Sequence, residues 1–159
     1  FHRLVPGAVV RLRYAYLITC VSVDKYADGR ITAIHCTYDP ASRGGNAPDG
    51  RKVKGTIHWL SAKHAQKAKV RLYDRLFTID DVGEIQEGED YRNYLNPDSL
   101  KEADCLIEPA LVNAVPGIAV QFERTGYFCP DVKDSTPGHP VFNRTVALKD
   151  SWQKKAAQN

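Results

Sequence analysis

The chain has 159 residues, enough for one domain or two small barrels sharing an interface, and its 43% hydrophobic content is ordinary for a globular protein. No apolar run approaches the roughly 20 residues a membrane helix needs, and the opening FHRLVPG carries no signal-peptide pattern, so the expectation is a soluble cytoplasmic protein with no membrane partner. The net charge of +3 conceals a division: residues 1–77 hold 14 Lys/Arg against 5 Asp/Glu, a net of +9, and residues 78–159 hold 8 against 14, a net of −6. A basic first half predicts a polyanionic partner, and an acidic second half a protein-facing or solvated role.

From Ala8, the run AVVRLRYAYLITCVSV alternates apolar and polar residues imperfectly, and its Val, Tyr, Ile and Thr content predicts one long or bent strand. Asp28-Gly29 is a hairpin turn signal, returning the chain along Arg30–Tyr38. Asp39–Gly50 reads as a mobile turn-forming loop and Arg51–Leu60 as a third strand with a basic start and an apolar end. Ser61–Lys69 fits a helical turn and Val70–Phe77 a fourth strand, a spacing that predicts a small antiparallel barrel. Asp80–Ser99 reads as a long acidic connection with one helical turn around Tyr91–Leu95. Strands resume at Ala103–Glu108, Val120–Arg124, Gly126–Cys129 and Val141–Leu148. That is too few strands to close a second barrel comfortably, so further strands are expected ahead of Phe1.

Catalytic chemistry is poorly supported. The five histidines are scattered, no Gly-x-Ser-x-Gly is present, and Gly44-Gly45 is followed by Asn46 rather than Lys-Ser/Thr, so no phosphate-cradling loop forms. Cys20, Cys36, Cys105 and Cys129 have no CxxC spacing and no histidine at zinc spacing, which supports neither a metal site nor a disulfide framework; Cys20 and Cys36 fit opposed positions on paired strands. RNA binding fares better. Arg11 and Arg13 stand two apart, on one face if the segment is a strand, where guanidinium planes can fork onto base edges or phosphates. Arg3 lies just upstream, Gln121 and Arg124 can contact an unstacked base, and Arg51, Lys52 and Lys54 can hold a phosphate backbone. Taken singly, each reads better as a surface side chain or an ion-pair partner; together with the +9 half they favour RNA.

The runs RLVPGAVVRLRYAY, CTYDP, DGRKVKGTIHWLSAKHA, VRLYDRLF, LNPDSL, QFERTGYF and VFNRTVALKDSW resemble, in unbroken order, the C-terminal anticodon-binding region of bacterial-type glutaminyl-tRNA synthetases. The resemblance implies an all-β protein of two antiparallel β-barrels, of the kind also seen in a ribosomal protein that binds ribosomal RNA. A distal barrel would match residues 1–76 and the C-terminal part of a proximal barrel 77–152, with 153–159 a tail. It implies recognition of the glutamine tRNA anticodon stem-loop, with ATP and Mg used by the catalytic domain of the same polypeptide, so that this part is non-catalytic. Carried over by position, the readers of the first anticodon base match Arg11 and Arg13, those of the central uridine Gln121 and Arg124, and the contact to the third base Arg3. Ser151 keeps a hydroxyl where a similar enzyme has Thr, and His2 stands in place of a Lys. Two rival readings remain: a general or ribosomal RNA-binding barrel, which would ignore the anticodon, and a protein-interaction module, which would associate without RNA and without salt dependence.

Overall fold

The computed structural model describes residues 4–148. The chain divides into two compact units, Phe1–Trp59 and Leu60–Asn159, and among the described residues there is no α-helix.

The first unit is a four-stranded sheet. Strands β1 (Val9–Leu12) and β2 (Leu17–Lys25) pair antiparallel, with Val10 opposite Ile18. The single long strand expected here is instead a hairpin: Ala15 N donates to the Leu12 carbonyl at 2.9 Å, and Tyr14 takes φ of 58°. No Gly, Pro or Asn marks this turn, which is why alternation alone ran through it. Strand β3 (Ile31–Tyr38) returns along β2 as the Asp28-Gly29 signal predicts, with Gly29 at φ of 83°. The strand expected over Arg51–Leu60 shrinks to β4 (Gly55–Ile57), which lies parallel to β1 and pairs Val10 with Gly55. Arg51, Lys52 and Lys54 therefore precede the strand instead of starting it. The sheet order is β3-β2-β1-β4, and Val10, Leu17 and Cys20 are its buried apolar residues.

The second unit is a five-stranded sheet in the order β6-β5-β9-β8-β7. Strand β5 (Gln66–Tyr73) starts inside the stretch read as a helical turn, because Ala68 and Val70 face the core while Lys67 and Lys69 remain exposed. It pairs antiparallel with β6 (Leu100–Ile107) and parallel with β9 (Val141–Ala147). Strands β7 (Val120–Phe122) and β8 (Gly126–Pro130) form a tight hairpin, and β8 pairs with β9. A boundary at residue 76 would assign β5 to the first barrel, whereas its ladders to β6 and β9 make it the second strand of this sheet. The core is Ala68, Val70, Ile107, Phe128 and Phe142, with Phe122 stacked on Phe128 at 4.3 Å and edge-on to Phe142 at 5.1 Å. The helical turn expected near Tyr91 is a 3-10 turn over Tyr91–Tyr94 capped by the Asp90 carboxylate.

The all-β class is as expected. Each sheet is mixed rather than purely antiparallel, since β1·β4 and β5·β9 run parallel, and among the described residues neither sheet closes on itself. A parallel pair needs a crossover of a dozen residues or more, which is a long-range relation that local patterning does not carry.

Candidate nucleic-acid interface

In the first unit, the β1–β2 hairpin and the loop after β3 share hydrogen bonds. A 3-10 turn over Pro40–Ser42 starts on the Asp39 carboxylate, which accepts from Ala41 N at 3.0 Å. Ser42, wholly buried, accepts from Leu17 N at 2.8 Å and donates to the Asp39 carbonyl at 2.6 Å. Gly44 N then donates to the Ala15 carbonyl at 2.7 Å. The first part of the loop read as mobile, Asp39–Gly45, is thus tied to the hairpin through the Ser42 hydroxyl and the Gly44 backbone.

Arg11 leaves β1 toward this loop. Its Nε donates to the Gly45 carbonyl and its Nη1 reaches Thr56 Oγ1 on β4 at 3.4 Å. Gly45 is buried at φ of 86°, and a β-carbon there would lie 2.8 Å from Arg11 Cδ. Arg13 lies just past the end of β1. Its backbone N donates to the Ile57 carbonyl at 3.1 Å, and its carbonyl accepts from the Trp59 indole N–H at 3.2 Å. Its guanidinium donates to the Tyr14 hydroxyl at 2.9 Å and sits 4.9 Å from the centre of that ring. Arginines 11 and 13 thus emerge from one hairpin, each attached to a different support. Arg51 forms a looser ion pair with Asp39 at 3.8 Å and Asp49 at 3.6 Å, while Lys52 and Lys54 are exposed.

In the second unit, Gln121 is exposed on β7 opposite Tyr127, and Arg124 occupies the β7–β8 turn at φ of 61°. Thr125 N closes that turn on the Phe122 carbonyl at 2.9 Å. Gln121 and Arg124 are therefore presented by one hairpin over a packed aromatic pair. His2, Arg3 and Ser151 lie outside the described residues.

A separate ionic cluster lies on the second sheet. Arg71 on β5 bonds Glu102 at 2.9 Å, Asp134 at 2.6 Å and Asp131 at 3.4 Å, and Lys69 joins Glu102 at 3.0 Å. Glu102 and then Asp134 hold the Arg71 guanidinium above its usual pKa, and Arg71 then Lys69 hold Glu102 below its own. Asp131 falls to about 2, chiefly through the Asn143 amide at 2.7 Å and then the backbone N–H groups of Asp134 and Lys133. A cleft of about 680 Å³ beside the cluster is lined by Lys67 and Lys69 together with Asp104 and Asp134, charges of both signs, and by none of the expected RNA-contacting residues. Cys20 and Cys36 do oppose each other on β2 and β3, as free thiols, and burial followed by the Cys20 neighbour pushes the Cys36 thiol up.

Among the described residues, no group of three or more His, Cys, Asp or Glu converges as metal ligands, and no helix is long and apolar enough to cross a membrane. What the residues assemble is guanidinium, amide and aromatic groups on hairpin turns, a set suited to unstacked bases and phosphates.

Two family profiles, both described as the anticodon-binding domain of class I tRNA synthetases (E and Q), match residues 1–39 and 56–131. A glutamine–tRNA ligase of Nitrobacter hamburgensis is 53% identical over 157 residues, 99% of this chain and 27% of the relative. The one from Vibrio parahaemolyticus is 52% identical over 154 residues, 97% of this chain and 27% of the relative. That from Escherichia coli O1:K1 is 51% identical over 154 residues, again 97% and 27%.

The chain belongs to this anticodon-binding family.

The anticodon-binding chain spans about 27% of the length of these curated relatives. Three supports of its hairpins went unread in the sequence. Ser42 is one serine in a polar loop, Gly44-Gly45 lacks the Lys-Ser/Thr of a phosphate loop, and Tyr14 lies inside a run whose alternation reads as strand. Only the Gly44-Gly45 doublet carried a usable signal, because a glycine pair inside a loop often marks a close approach of another group to the backbone.

Proposed function

We propose that this domain recognises the anticodon of glutamine tRNA within a cytoplasmic glutamine–tRNA ligase, whose catalytic domain attaches glutamine at the expense of ATP. The observation that carries this reading is identity of 53% to a glutamine–tRNA ligase across 99% of the chain. ATP and Mg belong to the catalytic domain in this proposal, and no residue of this chain is assigned to either.

In the proposed complex, Arg11 and Arg13 read the first anticodon base, Gln121 and Arg124 the central uridine, and Arg3 the third base. Ser151 supplies a hydroxyl near the central base. His2, Arg51, Lys52 and Lys54 hold the phosphate backbone, with His2 weaker because a neutral imidazole offers one donor and little charge. The hairpins support these roles: a guanidinium already anchored at its stem loses little further freedom on binding. A wrong base leaves desolvated donors unpaired, which costs about 1 to 3 kcal/mol for each.

The test is binding of glutamine tRNA and of the same tRNA with its central anticodon uridine replaced, at several salt concentrations. Preference for the natural uridine that persists as salt rises is the expected result. Equal and steeply salt-dependent affinities would leave a general RNA binder and overturn the reading.

A further inference from the structure

Tyr14 combines three features that a filler residue in a turn does not need. It is 77% exposed, the largest exposure among the described large hydrophobic residues. It holds φ of 58°, a left-handed conformation that only one other non-glycine residue among those described, Arg124, adopts. A bulky side chain is unfavourable there, and Asn, Asp or Gly would fit the turn better. Its ring is nevertheless fixed in place: the Arg13 guanidinium lies 4.9 Å from the ring centre and donates to the hydroxyl at 2.9 Å.

The support beneath is stiff. The Ile57 carbonyl accepts from Arg13 N at 3.1 Å, and the Trp59 indole holds the Arg13 carbonyl at 3.2 Å. The Leu12 and Tyr16 backbones close the hairpin at 2.9 Å. The ring therefore stands out from the hairpin end on a cation, which occupies one side and leaves most of the aromatic surface in solvent. A flat, electron-rich surface backed by a cation, one residue from a guanidinium suited to phosphate, is the chemistry that takes a splayed nucleobase.

We propose that Tyr14 is a stacking residue for an unpaired base of the bound RNA loop, an extension that rests on the anticodon reading above. The base lies on the ring surface that Arg13 does not cover, so that base, Tyr14 and Arg13 form one stack. Arg13 thereby positions the ring as well as contacting RNA.

The experiment uses the intact protein carrying this chain, with Tyr14→Asn and Tyr14→Phe variants. Its probes are glutamine anticodon stem-loops carrying 2-aminopurine at each loop position in turn. Asn suits the left-handed turn but has no ring, so Tyr14→Asn should unfold at the same temperature or higher and bind about tenfold more weakly. Tyr14→Phe keeps the ring and should bind nearly as the unaltered protein does. One 2-aminopurine position should lose fluorescence on binding in a manner that Tyr14→Phe retains and Tyr14→Asn abolishes.

Unchanged affinity and fluorescence in Tyr14→Asn would overturn the proposal, as would equal losses in both variants, which would assign the effect to the hydroxyl and its bond to Arg13. A fluorescence change that depends on the Tyr14 ring, seen alongside indifference to the anticodon sequence, would uphold stacking and overturn the anticodon reading instead.

Discussion

Arg11 lies across the position where Gly45 lacks a side chain: a β-carbon there would come within 2.8 Å of Arg11 Cδ and 2.9 Å of Cγ. The glycine also sits at φ of 86°, so an alanine would be strained by its own backbone as well as by the arginine. Gly45→Ala should displace Arg11 and reduce discrimination at the first anticodon base by roughly tenfold. Competition binding with first-base variants of the tRNA measures this. Combining Gly45→Ala with Arg11→Ala should add little to the loss of discrimination caused by Arg11→Ala alone, since both act through the same guanidinium. Additive losses would mean that the glycine works by another route.

Ser42 presents the same logic with a hydroxyl in place of a void. It is fully buried and serves Leu17 N and the Asp39 carbonyl at once. Ser42→Ala leaves the Leu17 donor without its acceptor in a site closed to water, at a cost of about 1 to 3 kcal/mol in urea unfolding. Hydrogen exchange of the Leu17 amide should quicken at the same time. An unchanged unfolding curve would show that the loop is held mainly by Gly44.

Arg124 offers the opposite sign. At φ of 61° it occupies a turn position that glycine fills with less strain. Arg124→Gly should raise unfolding stability by a few tenths to about 1 kcal/mol while removing preference for the central uridine. A variant that loses stability but keeps that preference would show that this arginine is retained for the fold.

The ionic cluster sets an acid limit. Asp131 titrates at about 2 in the folded protein against 3.8 ordinarily, so its contribution to stability is complete above pH 4 and fades as the pH falls toward 2. Between pH 5 and pH 2 the unfolding temperature of the unaltered protein should therefore drop more steeply than that of Asp131→Asn. Parallel curves would place the acid sensitivity elsewhere, with Glu102 the next carboxylate to test because its pKa is also lowered.

What the residues disclosed before folding follows from range. Strands β3, β8 and β9 were legible because β-branched and aromatic runs between turn residues are local signals, and Asp28-Gly29 marked its hairpin directly. The turn at Tyr14 was not, because a tyrosine in a left-handed conformation opposes its own propensity and tertiary bonds from Ile57 and Trp59 hold its neighbour there. The parallel ladders and the Arg11–Gly45 contact join residues far apart in the chain, so local patterning is silent about them. Arginines 11 and 13 could be singled out by type and spacing; their supports could not, since a buried serine and a crowded glycine look ordinary until the backbone brings something against them.

The parallel partner of β5 also bears on how the chain is made. The four strands of the first sheet are all present once β4 has been synthesised, but β5 obtains its second neighbour only when β9 arrives, long after β6 has paired along the other edge. Contacts of such high sequence separation form late, and during synthesis β5 would wait with one row of amides and carbonyls open. Lys67, Lys69 and Arg71 stand along that strand, and charged side chains on an open strand disfavour pairing with another chain until β9 takes its place.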